Sequence, residues 1–452
     1  MKLTKFYFLI LSMISFSLFT TSCNDDDDCM TVCETNEILS SDCECVTINT
    51  GPCEGITCPD GEVLTADCDC ITEETATEVF IGANITENTT WTSDLEVILG
   101  GRITVVPGVT LTIEPGTIIK GQAGAGANSS VLVVARGATI EACGTAVAPI
   151  IFTSVADEIT PTMVAAGNFG SPNLEPDVNG LWGGLILLGN APISAQNDND
   201  MDIAELQIEG IPATDPSGLY GGDDANDSSG SLCYISLRHG GTNIGEGNEI
   251  NGITFGGVGS GTTVNNIEIV ANQDDGVEWF GGTCSATNVL VWNCGDDGLD
   301  TDQAWNGTCD NWIVALPQGG SAMELDGPEG TLTQGCNTFV NGTIYSGTGI
   351  DHIIDWDDST NTGISNIYIF GVDADYDPSV GIESFGGNGE CSTGTWEYTV
   401  PAGYDADGLF ADAIGAGQAT AVSANGNSVG ADSSAFSWTW GAQSGTLSSI
   451  GL

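Results

Sequence analysis

The sequence predicts an all-β chain: a parallel β-helix solenoid preceded by two small disulfide-stapled modules. Three observations carry this. Short β-branched or aromatic runs recur along most of the chain, and in the stretch 262–370 each opens on an asparagine. The 63 glycines suit repeated turns, and no long stretch carries the helical apolar period of about 3.6 residues. Ahead of the repeats, eight cysteines fall in two blocks of similar spacing.

Taken in order, the chain opens with Lys2 and Lys5, an apolar run from Phe6 to Phe19, and Thr20-Thr21-Ser22-Cys23. Residues 1–22 read as a signal peptide, too short for an ordinary membrane span. A small residue before cysteine resembles a bacterial lipobox, which makes Cys23 the lipidated residue, although Thr20 stands where leucine is usual. Asp25, Asp26, Asp27 and Asp28 follow and resemble the surface-export signal of some Gram-negative lipoproteins. The expectation is an outer-membrane protein, anchored by lipid and exposed at the cell surface.

Residues 23–75 form an acidic tether and two four-cysteine modules. Cys29, Cys33, Cys43 and Cys45 make the first, and Cys53, Cys58, Cys68 and Cys70 the second. In an exported, core-poor segment an even cysteine count reads as disulfide staples. Each block allows three pairings, and internal closure is expected of both. Two four-thiolate zinc knuckles are the rival reading, and export favours oxidation. Seven cysteines remain, so at least one is free. Cys284 and Cys309, close to successive turn asparagines, are expected to bridge neighbouring coils.

After a linker at 76–83, residues 84–452 read as the solenoid with a C-terminal cap. Its front shows runs such as Leu95–Leu99, Leu111–Ile113 and Val131–Val134, separated by Pro107-Gly108, Pro115-Gly116 and Arg136-Gly137 turns. The clearest repeat follows. Asn266, Asn288, Asn311, Asn341 and Asn366 each precede a strand run, at steps of 22, 23, 30 and 25 residues. Such a period means stacked coils, because one coil cannot bury its own apolar face. The five asparagines should stack at one turn. The aromatic stretch ending Phe436-Ser437-Trp438-Thr439-Trp440 is expected to cap the open end.

The same register carries acids. Asp275 and Asp297 are 22 residues apart, as are Glu278 and Asp300; Asp274, Asp296 and Asp302 lie beside them, and Glu324, Asp326, Asp351, Asp355, Asp357 and Asp358 follow. Coils stack about 4.8 Å apart, so these carboxylates should line one face. Like charges at that spacing repel by roughly a few kcal/mol per close pair. Bound Ca²⁺ at Asp274, Asp275, Glu278, Asp296, Asp297, Asp300 and Asp302 would offset this; raised pKa values or turn amides are the alternatives. Trp279, Trp305 and Trp356, near that face, are expected to stack on sugar rings, whereas Trp312 reads as core.

The net charge of −56 excludes nucleic acid and anionic membrane surfaces as partners. Beyond the signal peptide the basic residues are Arg102, Lys120, Arg136 and Arg238.

The runs Leu111–Gly121, Gly180–Gly189, Tyr220–Asp224 and Asp296–Trp305 resemble a family of bacterial outer-membrane lipoproteins with a right-handed, pectin-lyase-like β-helix. The resemblance spans roughly residues 85–452 and implies the fold and its hand. It names no ligand. The resulting expectation is a binding or adhesion module for an extracellular polysaccharide or a surface protein, with Ca²⁺ on the acidic face. The enzymatic alternative is a β-helix polysaccharide hydrolase using Asp296, Asp297 and Asp275, or a lyase using Arg238 as base. Gly295-Asp296-Asp297 and His239-Gly240 echo the hydrolase pattern, but in reverse order and without Arg-Ile-Lys.

Overall fold

The computed structural model describes residues 37–39, 45–47, 56–59, 62–65, 68–72 and 77–452, the last span without 125–127, 198, 246–247, 317–319, 349, 380, 411–412 and 415–416. Cys23, Cys29, Cys33, Cys43 and Cys53 lie outside these residues, and Cys45 is described by its backbone alone. In the second module Cys58 bonds Cys70, with α-carbons 5.5 Å apart. That bridge closes within its block, as expected.

From Glu78 the chain winds into stacked coils. A long sheet collects, among others, Glu96–Leu99, Ile118–Gly121, Ile150–Ser154, Gly230–Arg238, Thr263–Val270, Ser285–Trp292, Thr308–Ala315, Asn337–Tyr345 and Thr362–Phe370. A second sheet of eight strands runs from Arg102–Val105 through Val131–Val134, Leu185–Leu188, Ile253–Gly256, Val277–Phe280, Leu299–Asp302 and Met323–Leu325 to Asp355–Trp356. Each strand pairs in parallel with its counterpart one coil away, for example Val277 with Leu299 and Leu299 with Met323. Parallel neighbours separated by a full coil are the parallel β-helix that the repeat predicted.

The asparagines explain how long strands bend between faces. Asn266, Asn288, Asn311, Asn341 and Asn366 all take φ between 55° and 60°. Asparagine tolerates this left-handed conformation better than most residues. Their amides form a ladder: Asn288 Nδ2 donates to Asn266 Oδ1 (3.0 Å), Asn311 to Asn288 (2.6 Å), and Asn366 to Asn341 (3.1 Å). The ladder breaks once, where Asn341 donates to Asp310 Oδ1 instead. The Oδ1 of Asn311 is taken there by the backbone N–H of Asp432.

The core fills the coil interior with Leu, Ile, Val and stacked aromatics. One cysteine expectation needs correction. Cys284 and Cys309 are free and buried. The reason is register: Cys309 faces Ala286 on the neighbouring strand, two residues away from Cys284. The bridges are Cys143–Cys233, which are register partners, and Cys336–Cys391.

The C-terminal aromatic stretch does not cap the end. Leu409, the last residue of the helix Ala406–Leu409, and Phe410 after it join the core there, with Phe410 stacked on Tyr398 at 4.2 Å. Residues 428–452 instead fold back along the outer face of the long sheet. Phe436, Trp440 and Leu447 cover Val270, Leu290, Trp292, Ile313 and Ala315.

Candidate functional site: a row of carboxylates

Along the second sheet, period-two alternation sends every other side chain outward. One outward register position reads Val133, Ile186, Thr254, Glu278, Asp300, Glu324 and Asp355 in successive coils. The bridge between Ile354 and Ile382 carries the row on to Glu383. In the early coils the position is apolar because an insertion covers it: Ile193, Ala195, Ile208, Ile211 and Tyr220 pack over Val133 and Ile186. Beyond that insertion the row is carboxylic.

Three residues before each row member is a turn position, occupied in turn by Asn251, Asp275, Asp297, Ser321 and His352. The backbone ties these turns together; Gly276 N–H donates to Asp297 O, Gly298 N–H to Ser321 O and Ala322 N–H to His352 O. The turn carboxylates brace the stack as well. Asp275 Oδ1 accepts from the N–H of Asp297 (2.8 Å), and Asp297 Oδ1 from the N–H of Ser321 (3.0 Å). Asn251 Nδ2 donates to Glu278.

These bonds leave some carboxyl oxygens without partners. Asp274, Asp275, Glu278, Asp297 and Asp300 are all buried, and Asp274 Oδ2 and Asp300 Oδ1 have no hydrogen-bond partner. One oxygen each from Asp274, Asp275 and Asp296 lie within 4.8 Å of one another, and so do oxygens of Asp275, Glu278 and Asp300. Burial first, then neighbouring carboxylates, pushes Asp275, Glu278, Asp300 and Asp302 well above the usual carboxylate range. The same causes push Asp274 up to about 9 and Asp326 to about 6. Glu324 rises to about 10, through burial and then its hydrogen bond with Asp297. The four basic residues among those described cannot help. Arg102 pairs with Asp215, Lys120 with Glu96, Arg136 with Glu205 and Arg238 with Glu268, all outside the row.

The structure therefore gathers the seven expected acids on one face, with Asp302 one alternation further along its strand. Of the later acids, Asp355 enters the row, whereas Asp357 is spent on the backbone of Ser359. Two contributors went unread in the sequence. Glu209 comes from the insertion and rises to about 7, mainly by burial. Glu249, whose N–H donates to Glu209 Oε2, adds its charge beside Asp274. Neither sits in the repeat, so spacing gave no signal. Glu383 was missed too, because its coil joins the row only through the Ile354–Ile382 bridge, which no spacing in the sequence announces.

The tryptophans are a correction. Trp279 and Trp356 occupy the inward register position adjacent to Glu278 and Asp355, and Trp305 stacks on Trp279 at 4.7 Å inside the coil. All three are buried. A residue next to an outward carboxylate must point inward, so none can meet a sugar. Trp312 is core, as expected. Arg238 is also removed from surface chemistry. It is 0% exposed, its Nε donates to Ser236 Oγ, and its guanidinium lies 4.8 Å from the Trp440 ring centre. It can take no proton from a polymer. His239 is buried with Nδ1 2.5 Å from Val178 O, a structural turn residue.

An oxygen-only, close-set donor array with orphaned oxygens suits a hard divalent cation such as Ca²⁺. Residues 83–372 match the family model described as a pectate-lyase-like beta helix domain, and the chain belongs to that family. No curated protein and no solved structure matches the chain.

Proposed function

We propose that the protein is a lipid-anchored, cell-surface binding module that takes up Ca²⁺ on its carboxylate row and, through the ions, holds an extracellular anionic polysaccharide. The observation that carries this is the row itself: buried acids, two oxygens without partners, and no lysine or arginine among the described residues to neutralise them. With the nearby tryptophans inside the core, ion-mediated contact fits better than sugar stacking. Cys23 and the acidic run after it support the anchor and the surface location.

The test uses the full-length protein, freed of metal by chelation. Millimolar Ca²⁺ should raise the thermal midpoint and release heat in calorimetry, and polygalacturonate beads should retain the protein only with Ca²⁺ present. Retention without Ca²⁺, or no response to the ion, counts against the reading.

One observation favours a second reading. Glu324, partly exposed and proton-holding beside Asp297, resembles the acid of an acid–base pair. If the protein cleaves a polysaccharide and Asp297→Asn abolishes cleavage without unfolding it, the hydrolase reading replaces the binding module.

A further inference from the structure

The far end of the row differs chemically from the rest. We infer that His352, Asp355 and Glu383 form a separate site for a borderline divalent metal of the Zn²⁺ class. One ligand atom from each lies within 4.8 Å of the others. His352 Nδ1 is 3.5 Å from Asp355 Oδ2, and Nε2 is 3.7 Å from Glu383 Oε1. Both separations exceed a hydrogen bond of about 2.9 Å. Only one ring nitrogen can face a given ion, so one of these separations serves as an edge of its shell, where ligands about 2.1 Å from an ion in tetrahedral arrangement stand about 3.4 Å apart. The other carboxylate reaches that same nitrogen within 4.8 Å.

The three side chains are held by the coil stack rather than by chance surface proximity. His352 occupies the turn position, and Asp355 and Glu383 occupy the row position of successive coils. Ala322 N–H donates to His352 O, and Glu383 N–H to Ile354 O, each at 3.1 Å. The side chains are 26%, 35% and 51% exposed, so an ion can enter and keep water ligands. Imidazole nitrogen shifts the preference from Ca²⁺ toward Zn²⁺ and its neighbours. One ring nitrogen ligates; the other stays free to hold a proton.

The experiment titrates Zn²⁺ into the full-length, disulfide-intact protein in millimolar Ca²⁺, and variants at His352 and Glu383 keep the outcome independent of whether Ca²⁺ fills the oxygen-only sites. One Zn²⁺ per chain is expected, and Co²⁺ in its place should give visible d–d absorption. His352→Ala and Glu383→Gln should each weaken Zn²⁺ binding at least about tenfold. Glu114→Gln, at an exposed turn of an early coil, should leave it unchanged. Matching thermal midpoints of the metal-free variants establish that they fold; if His352→Ala misfolds, His352→Gln and Glu383→Gln carry the test. Zn²⁺ affinity equal in wild type and variants, or no binding in the presence of Ca²⁺, overturns the proposal.

Discussion

Asn288 does two things that no other side chain does as well. It holds φ at 58°, and it links Asn266 and Asn311 through its amide. Asn288→Ala forces a left-handed alanine and removes both bonds, a loss of about 2–3 kcal/mol. Asn288→Gly keeps the conformation and loses only the bonds, about 1–2 kcal/mol. Urea melts should rank wild type above glycine above alanine; equal losses would mean that the turn, not the ladder, is irrelevant. This residue was legible in the sequence because asparagine marks left-handed turns. The preceding coil was not legible, because Tyr234 takes the same place at φ 51°. A bulky residue there is strained, and only tertiary packing makes sense of it: Tyr234 meets Trp438 edge-on at 5.4 Å.

At the scale of the strand, the sequence disclosed the carboxylate row but not what faces it. A spacing of 22 residues aligned Glu278 with Asp300, and alternation then fixes Trp279 inside. Nearness along the chain is not nearness in space here, because a period of two sends the tryptophans to the opposite face from the acids beside them. The row has a pH signature. Folded Asp274 and Glu324 hold protons up to about 9 and about 10, whereas unfolded carboxyls release theirs near about 4. Between those limits the folded chain binds more protons than the unfolded one. Without cations, stability therefore falls as pH rises through that window. Ca²⁺ competes with the same protons, so its binding strengthens in the same direction. The Ca²⁺-induced rise in thermal midpoint should be larger at about pH 8 than at about pH 5. A shift independent of pH would place the ion elsewhere.

For the whole molecule the question is cooperativity. Coils that contact only their neighbours give a quasi-one-dimensional stability, and such stacks can unfold piecemeal. The C-terminal strap joins coils that are not neighbours. Gly430 N–H donates to Asn366 O, Ala431 N–H to Thr343 Oγ1 and Asp432 N–H to Asn311 Oδ1. Trp440 and Gly441 then give their N–H groups to the buried carboxylate of Glu268, and Gln443 Oε1 accepts from Phe169. The sequence suggested a lid because an aromatic tail fits any apolar surface. The discriminating sign was subtler: Val270, Leu290, Trp292 and Ile313 are apolar at positions whose alternation points outward. Trp440→Ala removes packing over those side chains and the ring beside Arg238, at a cost of about 3–5 kcal/mol. Deleting residues 428–452 should do more than destabilise. It should turn one sharp unfolding transition into a broad or stepped one, seen by calorimetry as a van't Hoff enthalpy well below the calorimetric value. The Ca²⁺ response should survive the deletion, because the carboxylate row lies on the other sheet. A truncated chain that still melts in one sharp step would show that the stacked coils are cooperative without the strap.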